Sequence, residues 1–140
     1  VERVRLWIPE PEGAALLTMN TARGRIHWRT WARLTGDWRE QAKVEAEAAG
    51  VVPELAAGER VAIDCLPVQG PGGVLADPGA HMPTLKACVD GLRDAGWLPD
   101  DSGAYVSAVT MLPPVRASQD RPAGLVLDLT PVPAIAASLF

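Results

Sequence analysis

The chain predicts an α+β sandwich in which a small mixed β-sheet carries two main helices on one face. Three observations carry that expectation. Val4, Leu6 and Ile8, and later Val61, Ile63 and Cys65, alternate with other residues at the period of half-buried strands. Apolar residues recur at helical spacing over 30–49 and 83–92. Two β-rich segments, 105–112 and 125–130, close the order as strand, helix, strand, helix, strand, strand.

In the first strand Val4, Leu6 and Ile8 share one side and Arg3, Arg5 and Trp7 the other, and Pro9-Glu10-Pro11-Glu12-Gly13 ends it. Residues 14–28 read as a loop, too polar and glycine-containing for an element interior. The first helix is expected from about Thr30 to Ala49, with Trp31, Leu34, Trp38 and Ala42 as its apolar stripe and Gly50 and Pro53 as its stop. Trp31 and Trp38 stand two turns apart and are expected in the core. Gly36 costs about 1 kcal/mol against Ala inside a helix and marks a place for a kink or break. The second strand ends at Pro67, and a flexible Gln69-Gly70-Pro71-Gly72-Gly73 loop follows. Pro83 suits the first turn of a second helix, whose stripe is Leu85, Cys88, Val89 and Leu92 and whose stop is Gly96. The last two β segments suggest a terminal hairpin with a long connection. Residues 1–130 form one domain in this reading. The apolar tail 131–140 packs on the core, packs on a second subunit, or is disordered.

The chain has 140 residues, enough for one sizeable core. Apolar residues make up 48% and charged residues 21%, with no apolar run near the roughly 18 residues of a bilayer span. Val1 to Arg5 is not followed by a secretory h-region, so the chain reads as cytoplasmic with no membrane partner. Cys65 and Cys88 lack CxxC spacing and are expected as buried thiols. The net charge of −4 argues mildly against a nucleic-acid partner, but its distribution is uneven. From Arg23 to Lys43 the cations Arg23, Arg25, Arg29, Arg33, Arg39 and Lys43 face only Asp37 and Glu40, and the part after residue 50 is acidic. That is the pattern of a phosphate-facing side and a metal-holding side, or simply of a solvated face.

The chemistry concentrates between residues 77 and 101. An acidic turn at Asp77-Pro78-Gly79, a helix with Lys86 and Asp90, and a second acidic turn at Asp100-Asp101 bracket one unit. Converging carboxylates make the oxygen-rich site that Mg²⁺ takes, alongside phosphate and water, and this suggests phosphodiester hydrolysis. The plainer alternatives are that both acidic turns are only turns and that Lys86 and Asp90, four apart, form a surface ion pair. His81 is placed where an imidazole could serve as a metal ligand, but Mg²⁺ prefers oxygen, and His81 is expected to be exposed. Arg23, Arg25, Arg29, His27 and Trp28 suit phosphates and an unstacked base, or else Trp28 lies in the core and the arginines in water.

Two stretches resemble the RusA family of Holliday-junction resolvases. One is Leu17-Thr18-Met19-Asn20 with Arg25-Ile26-His27-Trp28-Arg29 and Ala32-Arg33. The other runs from Asp77-Pro78 through Pro83-Thr84-Leu85-Lys86-Ala87 and Val89-Asp90-Gly91-Leu92 to Asp94-Ala95-Gly96-Trp97-Leu98-Pro99-Asp100-Asp101. The resemblance implies a homodimeric, Mg²⁺-dependent endonuclease (Mn²⁺ as a substitute) that cuts branched DNA such as four-way junctions, of the phage or prophage type. It implies Asp77 and Asp101 as metal ligands, Asp90 or Asp100 in support, and Lys86 stabilising charge on the scissile phosphate. Asn20, Arg23, Arg25, His27, Trp28, Arg29 and Arg33 form the implied DNA-binding segment. The chain departs from the family where Gly73-Val74-Leu75-Ala76 replaces arginines, and where Gly79 and Ala80 replace an acidic residue and an asparagine. Those losses of oxygen ligands leave a second expectation: a degenerate member that binds branched DNA or a protein partner without cutting.

Overall fold

The strands and helices follow in the order β1 (Val4–Pro9), α1 (Trp28–Ala48), β2 (Arg60–Gln69), α2 (Met82–Asp94), β3 (Val106–Met111), β4 (Val115–Arg116) and β5 (Gly124–Val132). They are seen in a computed structural model that describes residues 3–19, 26–99 and 105–133. The five strands form one mixed sheet in the order β1-β5-β2-β3, with β4 also beside β2. β5 runs antiparallel to both β1 and β2, while β3 and β4 run parallel to β2. The α+β architecture read from the sequence is therefore the one observed.

The strand alternation sorts the two faces. Leu6, Ile8, Val61, Ile63, Cys65, Leu125, Leu127 and Leu129 are buried with Trp38, Ala42, Ala46, Leu85, Cys88 and Leu92 from the helices. Both helices thus cover the same face. The other face carries Arg5, Ala62, Asp64, Val126 and Asp128, with Arg5 held to Asp128 on the neighbouring strand through two bonds of 2.7 and 2.9 Å.

The expected terminal hairpin does not form, because β2 lies between β3 and β5. Pro113-Pro114 supplies no tight reversal, so the chain continues along the same edge of β2 as β4 before crossing to β5. Pro67 does not close β2, which continues to Gln69. Leu112 donates to the Cys65 carbonyl, so residue 67 turns its amide position toward the same edge, at the break between β3 and β4 where no ladder bond is lost. β5 extends to Val132, two residues into the stretch read as tail. The rest of that tail, 134–140, lies outside the described residues.

α1 passes through Gly36 without a break. The glycine faces open space, and packing by Trp38 and Ala42 holds the helix where propensity alone is weak. Trp38 is fully buried, as expected, whereas Trp31 is only half-buried against the core's edge. α2 has Pro83 in its first turn and ends in a Schellman motif: Gly96 adopts φ +82°, its amide donates to the Arg93 carbonyl at 2.9 Å, and that of Trp97 donates to the Leu92 carbonyl at 2.9 Å.

The helices run side by side in the same sense. Trp31 and Thr35 of α1 face the first half of α2, and Ala46 near the end of α1 accepts a 3.1 Å hydrogen bond from the Trp97 indole. They meet closely at Gly91, where any Cβ would collide with the Arg39 carbonyl and Ala42. Cys65 and Cys88 are free and buried as expected; burial pushes the Cys65 thiol up to about 12 and raises that of Cys88 well above its usual range. Neither is a nucleophile at neutral pH.

Candidate functional site

The candidate site lies at the N-terminal ends of the two helices. Asp77-Pro78-Gly79-Ala80 forms a turn in which the Ala80 amide donates to the Asp77 carbonyl at 3.0 Å and Gly79 adopts φ +87°. Proline followed by a positive-φ glycine is the signature of a type II turn. An L side chain at residue 79 would be strained in that conformation, so the turn itself calls for glycine. Asp77 is exposed, and its carboxylate has no hydrogen-bonding partner among the described residues.

The turn is fastened from three sides. From the end of β2, Gln69 Oε1 accepts from the Ala76 amide at 2.7 Å and Nε2 donates to the Val74 carbonyl at 3.4 Å. From β4, the two terminal nitrogens of Arg116 donate to the Gly72 and Gly73 carbonyls, each at 2.9 Å. Beneath it His81 is 3% exposed, with its ring nitrogens 3.0 Å from the Leu17 carbonyl and 3.3 Å from Gln69 Oε1. This corrects the expectation of an exposed histidine. A polar group removed from water needs partners, and the 14–19 segment and Gln69 supply them. Thr84 completes the seam by accepting from the Leu17 amide at 2.8 Å and donating to its carbonyl at 3.0 Å.

Two concavities open above this seam. One, about 430 Å³, is a mostly apolar trough between the helices, lined by Met19, Trp31, Thr35, Met82, Lys86 and Asp90 among others. The second, about 370 Å³, is lined by Thr18, Met19 and residues 77–80. Met19 borders both, so the two hollows adjoin, with Asp77 on one and Lys86 and Asp90 on the other. The Lys86–Asp90 ion pair, the plainer of the two readings of these residues, is not made. Asp90 Oδ1 instead takes Arg93 at 3.2 Å, three residues on, and Lys86 has no ion pair among the described residues.

At the start of α1, His27 is the N-cap, its Nδ1 accepting from the Arg29 amide at 3.1 Å. Trp28 is 68% exposed, which decides against the core alternative. Its ring stacks on His27 with centroids 5.7 Å apart, and the Arg29 guanidinium lies 5.2 Å from its centroid. Trp28, Trp31 and Thr35 are spaced i, i+3, i+7, so Trp28 begins the helix stripe whose next two members line the trough. Arg33 reaches Asp37 at 3.4 Å in an exposed pair.

Asn20, Arg23, Arg25, Asp100 and Asp101 lie outside the described residues. Among the described residues no group of three or more His, Cys, Asp or Glu side chains converges as a metal site. Met19, Met82 and Trp31 line the trough without having been singled out for it; the only signal was the helical register linking Trp31 to Trp28. Gln69, Thr84 and Arg116 gave no local signal. Among the described residues no helix is long and apolar enough to cross a membrane. Compared with models of known protein families, with curated proteins and with solved structures, the chain gives no match.

Proposed function

We propose that the chain is a Mg²⁺-dependent endonuclease of RusA-like type that cuts branched DNA, working as a homodimer with one site for each of two strands. The observation that carries this reading is the pairing of an exposed, unpartnered carboxylate at Asp77 with an unpaired cation at Lys86, across adjoining concavities and beside an exposed Trp28. A surface built only for solubility has no need to keep these groups apart from counter-charges at one end of a helix pair.

The donor chemistry fits a hard cation in part: Asp77 offers free carboxylate oxygens, and Asp101, with Asp100 or Asp90 in support, would complete the set. Mg²⁺, or Mn²⁺ in its place, would supply Lewis acidity toward a phosphate oxygen and a more acidic water. The chain's own contribution is to hold the phosphate. Lys86 places its ammonium against the charge that develops on the scissile group, and Trp28 with Arg29 offers a stacking surface and a cation to an unstacked nucleotide. Arg33, and Asn20, Arg23 and Arg25 in the preceding segment, extend the contact to the backbone.

The test is incubation of the purified chain with a synthetic four-way junction and Mg²⁺ or Mn²⁺. Cleavage that Asp77→Asn abolishes while binding persists is the expected result. A second reading is favoured by the residues of the turn, where Gly79 and Ala80 bring no oxygen ligands: a relative that binds junctions or a protein partner without cutting. It predicts junction binding that weakens steeply with salt, no cleavage with either metal, and no effect of Asp77→Asn.

A further inference from the structure

His81 is buried at the start of α2, and both of its ring nitrogens face acceptors. Nδ1 lies 3.0 Å from the Leu17 carbonyl, which can only accept. The ring's Nε2 lies 3.3 Å from Gln69 Oε1. The way round of that carboxamide is set on its other side, where Oε1 accepts from the Ala76 amide at 2.7 Å and the Gln69 nitrogen donates to the Val74 carbonyl at 3.4 Å. Turned over, it would set donor against donor and acceptor against acceptor. All of these bonds are therefore made at once only when His81 carries a hydrogen on both nitrogens.

A neutral ring leaves one mismatch, because it has one donor nitrogen and one acceptor. The hydrogen stays on Nδ1, whose bond to Leu17 is the shorter and the more deeply buried of the two. Nε2 then turns a lone pair toward Gln69 Oε1. Rotation of the carboxamide relieves this by donating to Nε2, and in rotating it gives up the Ala76 and Val74 bonds. Those bonds hold the chain one and three residues before Asp77. Few charges weigh on the ring. Leu17 and Gln69, which bond it from the 14–19 segment and β2, and Thr84 of α2, which shares the Leu17 carbonyl, are uncharged. Burial and the N-terminus of α2 oppose an imidazolium, and the two acceptors favour it. Of the charged residues nearby, Asp77 and Lys86 are exposed, and Arg116 is committed to the Gly72 and Gly73 carbonyls.

We propose that His81 is a pH-sensitive latch on the Asp77 turn. Protonated, it fixes the Gln69 carboxamide that ties the turn down; on losing the Nε2 hydrogen it lets that carboxamide rotate and the turn loosen. Histidine is the side chain that changes charge between about pH 5 and pH 8, so the turn is held more tightly at the acid end of that range than at the alkaline end. The latch is a property of the seam and stands whether or not Asp77 holds a cation.

NMR titration of the full chain across that range tests it. The chain has two histidines, and His27→Asn, which keeps a capping side chain at the start of α1, tells their rings apart. At the acid end both ring nitrogens of His81 should show imidazolium shifts, and at the alkaline end the hydrogen should sit on Nδ1. The Ala76 amide proton should move upfield along the same curve as the ring, while the Ala117 amide, bonded to the Gln69 backbone carbonyl, should not follow it. In Gln69→Ala the ring should still titrate and the Ala76 amide should no longer track it. A hydrogen on Nε2 at the alkaline end overturns the proposal, as does a ring that keeps one charge state throughout. An Ala76 amide that ignores the ring in the unaltered chain, or still tracks it in Gln69→Ala, overturns it as well.

Discussion

The two ends of the helix pair make opposite use of the same packing. At the C-terminal end the helices are locked. Gly91 lets α2 lie against the Arg39 backbone, Arg39 binds Asp94 through bonds of 2.6 and 2.9 Å, and the indoles of Trp38 and Trp97 donate to the Ala15 and Ala46 carbonyls, each at 3.1 Å. At the N-terminal end they leave a trough, expose Trp28 and leave Lys86 without a counter-charge among the described residues. The difference teaches that close packing and exposed polar groups are divided along one pair of helices. The closed end fixes the spacing, and the open end holds polar groups at that spacing without having to bury them.

The sharpest way to break the closed end is Gly91→Ala. The added methyl has no room against Arg39 and Ala42, and prising two helices apart costs about 3 kcal/mol. Urea denaturation should show this loss. An unchanged midpoint would mean that the helices do not depend on that contact. Thr84→Val attacks the seam beneath the site. It leaves the buried Leu17 amide without an acceptor at a cost of about 2 kcal/mol, and protection of the 14–19 segment should fall in hydrogen exchange more than that of β2.

A smaller effect separates the ends by pH. Arg39 holds the Asp94 carboxyl below its ordinary range, chiefly by hydrogen bonding. A carboxyl whose folded pKa is depressed stabilises the fold above its unfolded value, near 3.9, and that stability is lost as pH falls through the folded value. The pair is largely exposed, so screening limits it to about 0.5 kcal/mol. Asp94→Asn should therefore lower stability slightly at neutral pH and flatten the acid limb below about pH 4. The smallest stability effect belongs to Lys86→Ala, expected within about 0.5 kcal/mol because the side chain is exposed and unpaired. Under the nuclease reading the same change lowers junction cleavage on the order of 100-fold in single-turnover kinetics. Destabilisation without loss of cleavage would assign Lys86 to the fold instead.

Much of the closed end was legible in the chain because its signals are local. Alternation placed Leu6, Ile8, Val61, Ile63 and Cys65 inward, helical spacing placed Trp38 and Ala42, and Pro83 and Gly96 marked where α2 begins and stops. The misreadings share a cause. A proline reads as a strand's end until the sheet shows that Pro67 falls where the neighbouring ladder is broken. His81 reads as exposed until Leu17, 64 residues away, is found against it. Lys86 and Asp90 leave a surface pair open as one of two readings until Arg93 takes the carboxylate.

The sequence by itself therefore determined where the four longer strands and the two helices lie, which side of most of them faces the core and where α2 stops, since periodicity, caps and turn residues act within a few positions of the chain. Only the tertiary structure decided that β2 separates β3 from β5, that Gln69, His81 and Arg116 fasten the Asp77 turn, and that Asp77 and Lys86 open onto adjoining hollows. Those contacts join residues far apart in the chain, and their energy depends on distances that packing sets.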